Sequence, residues 1–159
     1  MSQEIVSKNE MSIVGISEIT KNQDEMSGQG KIGGLWQRFF SEGIMEKIPN
    51  KKQPVNIIAV YTDYESDETG TYRILIGVEV EDSKTIPSGM ILKTIPKGSY
   101  SKITTEHGPI TSIVIAAWQK IWNEPELKAK RAFQADYELY DERSSNPESA
   151  QIDIFIGVK

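Results

Sequence analysis

A chain of 159 residues has the length of a single domain with a real core, and its net charge of −5, with no Lys/Arg cluster, argues against a nucleic-acid surface. With no cysteine and one histidine it has no disulfide framework, no thiolate nucleophile and too few ligands for a zinc site. No apolar run approaches the roughly 18 residues of a membrane span and the start shows no signal-peptide pattern, so the expected compartment is the cytoplasm.

Residues 1–10 are polar, an arm or edge strand, and 11–19 read as the first strand. Residues 20–30 form a polar, glycine-containing connection. An amphipathic helix is expected over 31–48, with Ile32, Leu35, Trp36, Phe39, Phe40, Ile44 and Ile48 on one face. Gly33, Gly34 and Gly43 each cost it about 1 kcal/mol relative to alanine, and the pair beside Trp36 suggests a close approach to the helix there. Residues 54–64 and 71–81 are β-branched and aromatic, and the acidic turn from Glu65 to Gly70 makes them a hairpin. Short strands follow at 90–95 and 99–106. Gly108-Pro109 opens a second amphipathic helix, with Pro109 at its first position and Ile110, Ile113, Val114, Ala117, Trp118, Ile121 and Trp122 on the apolar side. The last strands are 133–141 and 151–158, joined by the polar loop 142–149.

The strand 133–141 carries the most pointed chemistry. Apolar Phe133, Ala135, Tyr137 and Leu139 alternate with Gln134, Asp136 and Glu138, so Glu138 shares a face with Asp136 and Tyr140. A carboxylate among aromatic rings suits an organic cation, and also suits an acid of raised pKa. On this stretch alone the plainer reading is a solvated glutamate on an edge strand.

Three segments recur in order. Trp36-Gln37-Arg38-Phe39-Phe40 returns as Trp118-Gln119-Lys120-Ile121-Trp122, Tyr61-Thr62-Asp63-Tyr64-Glu65 as Tyr137-Glu138-Leu139-Tyr140-Asp141, and Ile74-Leu75-Ile76-Gly77-Val78 as Ile154-Phe155-Ile156-Gly157-Val158. The reading is one domain over 1–159 with an internal repeat, about 8–81 and 98–159, each half strand–helix–strand–strand. The fold class is therefore α+β: an antiparallel sheet with two helices over one face and a groove or cavity where the halves meet. On this alignment Glu138 falls where the first half has Thr62, so the pocket has one acid within an aromatic frame used twice.

With these features the chain resembles the gyrase-inhibitor-like small-molecule-binding domain, the effector-binding domain of AraC-type and MerR-type multidrug regulators, as a stand-alone member. The resemblance covers about residues 8–159. It is carried by the Trp36 helix, by Tyr61–Tyr64 with the turn leading to Tyr72 and Ile76-Gly77, by the helix from Gly108 to Trp122, and above all by Tyr137-Glu138-Leu139-Tyr140-Asp141 followed by Ile152 to Val158. It implies a curved antiparallel sheet with two long helices and a central aromatic pocket with a glutamate, here Glu138, that pairs with lipophilic cations. The chain departs from the regulators in having no helix-turn-helix segment, so no direct nucleic-acid contact is expected.

The expected function is capture of amphipathic, cationic aromatic molecules for drug sensing or sequestration. Ligand-binding residues are Glu138, Trp36, Trp118, Tyr64, Tyr140 and Tyr72. No cofactor, metal or membrane contact is expected, and a protein partner is left open. Trp122, Phe39 and Phe40 read as plain core, Tyr61 and Tyr137 as structural, and His107 as a turn residue. The alternative is a hydrolase opening cyclopropane-type electrophilic genotoxins, with Glu138 as its catalytic acid or base. The name of the family it resembles implies a third reading, a protein-interaction role such as topoisomerase inhibition. The sequence leaves open which sheet face the helices cover.

Overall fold

Eight strands form one antiparallel sheet in a computed structural model that describes residues 2–159. They are β1 (Ser2–Lys8), β2 (Met11–Lys21), β3 (Ile57–Thr62), β4 (Thr71–Glu79), β5 (Ile91–Ile95), β6 (Gly98–Thr104), β7 (Arg131–Tyr140) and β8 (Asp153–Val158). Their order across the sheet is β1-β6-β8-β7-β3-β4-β2-β5. It reads alike from either edge, with β3 against β7 at the centre, β4 and β8 outside them, and β2 and β6 next. The sheet is curved and the class is α+β, as expected.

The helices are α1 (Asn22–Met26), α2 (Ile32–Ser41), α3 (Ile44–Lys47), α4 (Ile110–Trp122) and α5 (Pro125–Lys130). None of them is long and apolar enough to cross a membrane. The expected helix over 31–48 is split. Gly43 takes the left-handed conformation at φ 59°, which ends α2 and starts α3 without turning Ile44 and Ile48 out of the core. Pro109 lies one residue outside α4, at φ −57° and ψ 131°, and not at its first helical position. The short helix α1 falls in the expected connection, and α5 was not foreseen.

Sheet residues alternate between two apolar layers. Ile74, Ile76 and Val78 of β4 and Ile154 and Ile156 of β8 face the helices, packing with Leu35 and Phe39 or with Ala117, Trp118 and Ile121. Leu75 and Phe155 face the other way, with Ile13, Ile58, Val60, Tyr100 and Tyr137. Among the described residues no helix contributes to that second layer. Burial on both faces explains why β4 and β8 read as near-continuous apolar runs. Each fully buried leucine or phenylalanine contributes about 1.5–3 kcal/mol.

Two details of register correct the sequence reading. Asp136 pairs with Ile156 and Ala59 with Ile76, so laying Ile76 on Ile156 puts Ala59 on Asp136 and Tyr61 on Glu138. Glu138 thus occupies the place of Tyr61, not of Thr62, and Tyr61 and Tyr137 lie on opposite faces. Phe133 also leaves the alternation. It sits in a register shift between Arg131 and Asp136 with φ 51°, and its ring meets Tyr64 at 5.6 Å.

Candidate functional site

The helices cover the face that carries Glu138, Tyr140 and Tyr61, and between helices and sheet lies a cavity of about 1810 Å³. Central strands β3 and β7 form its floor, with Ile57 opposite Tyr140 at one end and Tyr61 opposite Asp136 towards the other. Each long helix gives the cavity a stripe of its own. On α2, Leu35 and Phe39 are buried against the sheet while Ile32, Trp36 and Phe40, one turn apart, face the cavity. On α4, Ile113, Ala117 and Ile121 are buried and Ile110, Val114, Trp118 and Trp122 line the cavity.

Glu138 is 1 % exposed. Three side chains donate hydrogen bonds to it: Tyr61 and Trp118 to Oε2 at 2.8 and 2.7 Å, and Tyr140 to Oε1 at 2.6 Å. Burial raises its pKa, opposed by those three hydrogen bonds. Burial, with the Glu138 charge beside them, lifts Tyr61 and Tyr140 well above the ordinary phenol range, so both remain donors. Of the other acids in the cavity wall, Glu142 is exposed and three are already engaged. Glu25 accepts from Thr20 and from the backbone N–H groups of Lys31 and Ile32 at the start of α2, Glu68 pairs with Lys128 at 2.8 Å, and Asp141 pairs with Arg143 at 2.9 Å. Among the described residues Glu138 is the buried acid with no basic partner.

The rings form two runs joined by that carboxylate. One goes from Phe40 through Trp36, which meets Tyr140 edge-on at 5.0 Å. The other goes from Trp122 through Trp118, which meets Tyr61 at 5.0 Å, and on to Tyr72, Tyr64 and Phe133. The Tyr72 hydroxyl donates to Asn22 of α1 at 2.8 Å. Beyond Tyr64 lies a buried ion pair, Arg131 Nη2 to Asp136 Oδ2 at 2.7 Å, with Tyr64 donating to the same oxygen and the Gly157 N–H donating to Oδ1 at 2.8 Å. The Arg131 guanidinium stands 4.2 Å from the Phe133 ring centre. Among the described residues no group of three or more metal-ligating side chains comes together.

All six expected ligand-binding residues, Glu138, Trp36, Trp118, Tyr64, Tyr72 and Tyr140, stand in the wall of this cavity. Phe39 is core, as expected, but Phe40 and Trp122 line the cavity, and so does Tyr61. Tyr137 lies on the far face. Nothing of the protein approaches Gly33 or Gly34; a Cβ there would meet open space, and Gly33 borders the cavity. The sequence reading missed Arg131, whose signal, a lone arginine opening an apolar strand, is weak. It also missed Met26 and Ile115, which with Phe40 form an exposed apolar rim. His107 is exposed and outside the cavity wall.

A family model for integron-associated effector-binding proteins matches residues 4–158. YobU of Bacillus subtilis, a protein named for transcriptional regulation, is 29% identical over 145 residues, covering 91% of this chain and 90% of its own. An integron cassette protein from the mobile metagenome of Vibrio cholerae has a solved structure with TM-score 0.78 and 26% identity, covering 99% of this chain and 95% of its own. The structure of SAV2435 bound to tetraphenylphosphonium shares the fold, with TM-score 0.81 and 19% identity over 100% of this chain and 94% of its own.

Proposed function

The chain belongs to the family of integron-associated effector-binding proteins, and from that premise we propose that its cavity captures amphipathic, cationic aromatic molecules, as a drug sensor or a sequestering protein. One observation carries this reading: Glu138 is buried among rings with no basic partner. An isolated buried carboxylate is costly until it is protonated or meets a cation. A bound organic cation restores charge balance, and its contacts with the rings contribute about 0.5–2 kcal/mol each. The three donors hold the carboxylate in place so that charge complementarity is present before the ligand arrives. The volume exceeds the roughly 300–1,000 Å³ of an ordinary drug site, and the apolar rim suits an amphipathic ligand that extends from the mouth. That SAV2435 takes tetraphenylphosphonium in the same fold supports the choice of a lipophilic cation.

Tryptophan quenching with tetraphenylphosphonium tests the reading. Saturable quenching is expected, weakened at least tenfold by Glu138→Gln. Equal affinity in the variant would overturn it. Recovery of chemically unchanged ligand separates capture from hydrolysis; turnover abolished by Glu138→Gln would favour the hydrolase. With both Glu138 oxygens already accepting from Tyr61, Trp118 and Tyr140, the arrangement favours holding charge over moving a proton.

A further inference from the structure

On the sheet face away from the helices, a smaller groove of about 240 Å³ lies beside β7 and β8. Its apolar surface comes from Ile58, Leu139, Phe155 and Tyr137, with Lys8 and Lys52 among its polar residues. Tyr137 stacks on Phe155 with ring centres 4.6 Å apart. It is 2 % exposed, and its buried hydroxyl has no hydrogen-bond partner. The other five of the six tyrosines, Tyr61, Tyr64, Tyr72, Tyr100 and Tyr140, each donate to an acceptor within the protein. An orphaned buried hydroxyl costs about 1–3 kcal/mol and calls for an explanation.

A second group in the groove is also unmatched. The Lys8 ammonium stands 5.2 Å from the Phe155 ring centre, and no carboxylate pairs with it among the described residues. Lys52 is held by Glu79 at 3.5 Å, which leaves Lys8 as the uncompensated charge of the groove. The two cavities are therefore opposite in character: the large one is acidic, and this one has a free cation and a free donor over an apolar floor.

We propose that this groove is a second binding site, for a small carboxylate with an apolar body that rests on Ile58, Leu139 and Phe155, its carboxylate facing Lys8 and accepting the hydrogen of the Tyr137 hydroxyl. The site is independent of the cation reading. It backs onto the large cavity, because Pro54 and Asn56 border both.

Benzoate is the probe, titrated into the full chain and followed by heteronuclear NMR, with benzyl alcohol as its uncharged counterpart. Benzoate is expected to shift Tyr137, Leu139 and Phe155 resonances saturably, and benzyl alcohol is not. Lys8→Gln and Tyr137→Phe are each expected to weaken benzoate at least fivefold and to leave tetraphenylphosphonium affinity unchanged. Tyr137→Phe removes a hydroxyl with no partner, so it keeps or gains thermal stability, and Lys8→Gln on an edge strand is a second, independent variant. The proposal is overturned if benzoate does not saturate, if both variants bind it like the parent chain, or if only Glu138→Gln changes its binding.

Discussion

A carboxylate with three donors and no cation has two ways to settle, and pH chooses between them. The raised pKa of Glu138 means that the folded state holds its proton to a higher pH than the unfolded chain does. The stability tied to that group is thus fully present below its unfolded pKa and is lost as pH rises through its folded pKa. Glu138→Gln is expected to gain stability relative to the parent chain above that folded pKa and to match it in acid, as urea midpoints across pH will report. Cation binding runs the opposite way. It needs the charged form, so tetraphenylphosphonium affinity is expected to be level above the pKa of Glu138 and to fall by up to tenfold per pH unit below it. Titrations over a pH series check this, and Glu138→Gln is expected to flatten the profile. Arg131 raises a different point, because its charge is already matched by Asp136. Arg131→Met leaves Asp136 buried without a cation and is expected to cost about 3–5 kcal/mol in chemical denaturation.

The long helices show what a sequence reveals about a cavity and where it falls short. Their period was plain, and so were their apolar faces. The width of those faces was the overlooked signal. A helix that only covers a sheet needs one stripe, whereas α2 and α4 each carry two, Leu35 and Phe39 beside Ile32, Trp36 and Phe40, and Ile113, Ala117 and Ile121 beside Ile110, Val114, Trp118 and Trp122. Reading every ring on the apolar side as either core or wall misplaced Phe40 and Trp122. Tyr61 was misplaced for another reason: matching by letter paired it with Tyr137, and a one-residue error in a strand reverses the face. Only the hydrogen-bonded register corrects that. The bulge at Phe133 and the polar helix α5 leave no periodic trace at all. Strand glycines are a further case where pairing decides. Gly15 and Gly77 are directly opposed, and a Cβ on either would strike the backbone of the other strand, at Ile76 or at Val14. Gly77→Ala is therefore expected to lower the melting temperature, although alanine in a strand interior ordinarily gains about 0.5–1 kcal/mol over glycine.

At the scale of the molecule, fold class, the hairpin of β3 with β4 and the helix-lined pocket were legible, because they follow from alternation, hairpin turns and two matched halves. The face covered by the helices was not, since both faces of β4 and β8 are apolar. A cavity of this size is also a store of unused binding energy. Tetraphenylphosphonium at 100 times its dissociation constant is expected to stabilise the fold by about 2.7 kcal/mol, read as a rise in melting temperature that Glu138→Gln diminishes.

The strand order also bears on time. β1 pairs with β6, Ser2 opposite Thr104, with the whole first half of the domain lying between them in the chain. β5, by contrast, pairs with β2, on the other side of the sheet's centre. As the polypeptide is synthesised, β2, β3, β4 and β5 can assemble while the earliest strand waits without a partner. Loop closure over such a distance is slow, so the first strand made is among the last to dock. Until then β6 offers an open edge to any other extended chain, an added hazard that falls in the interval between synthesis and closure.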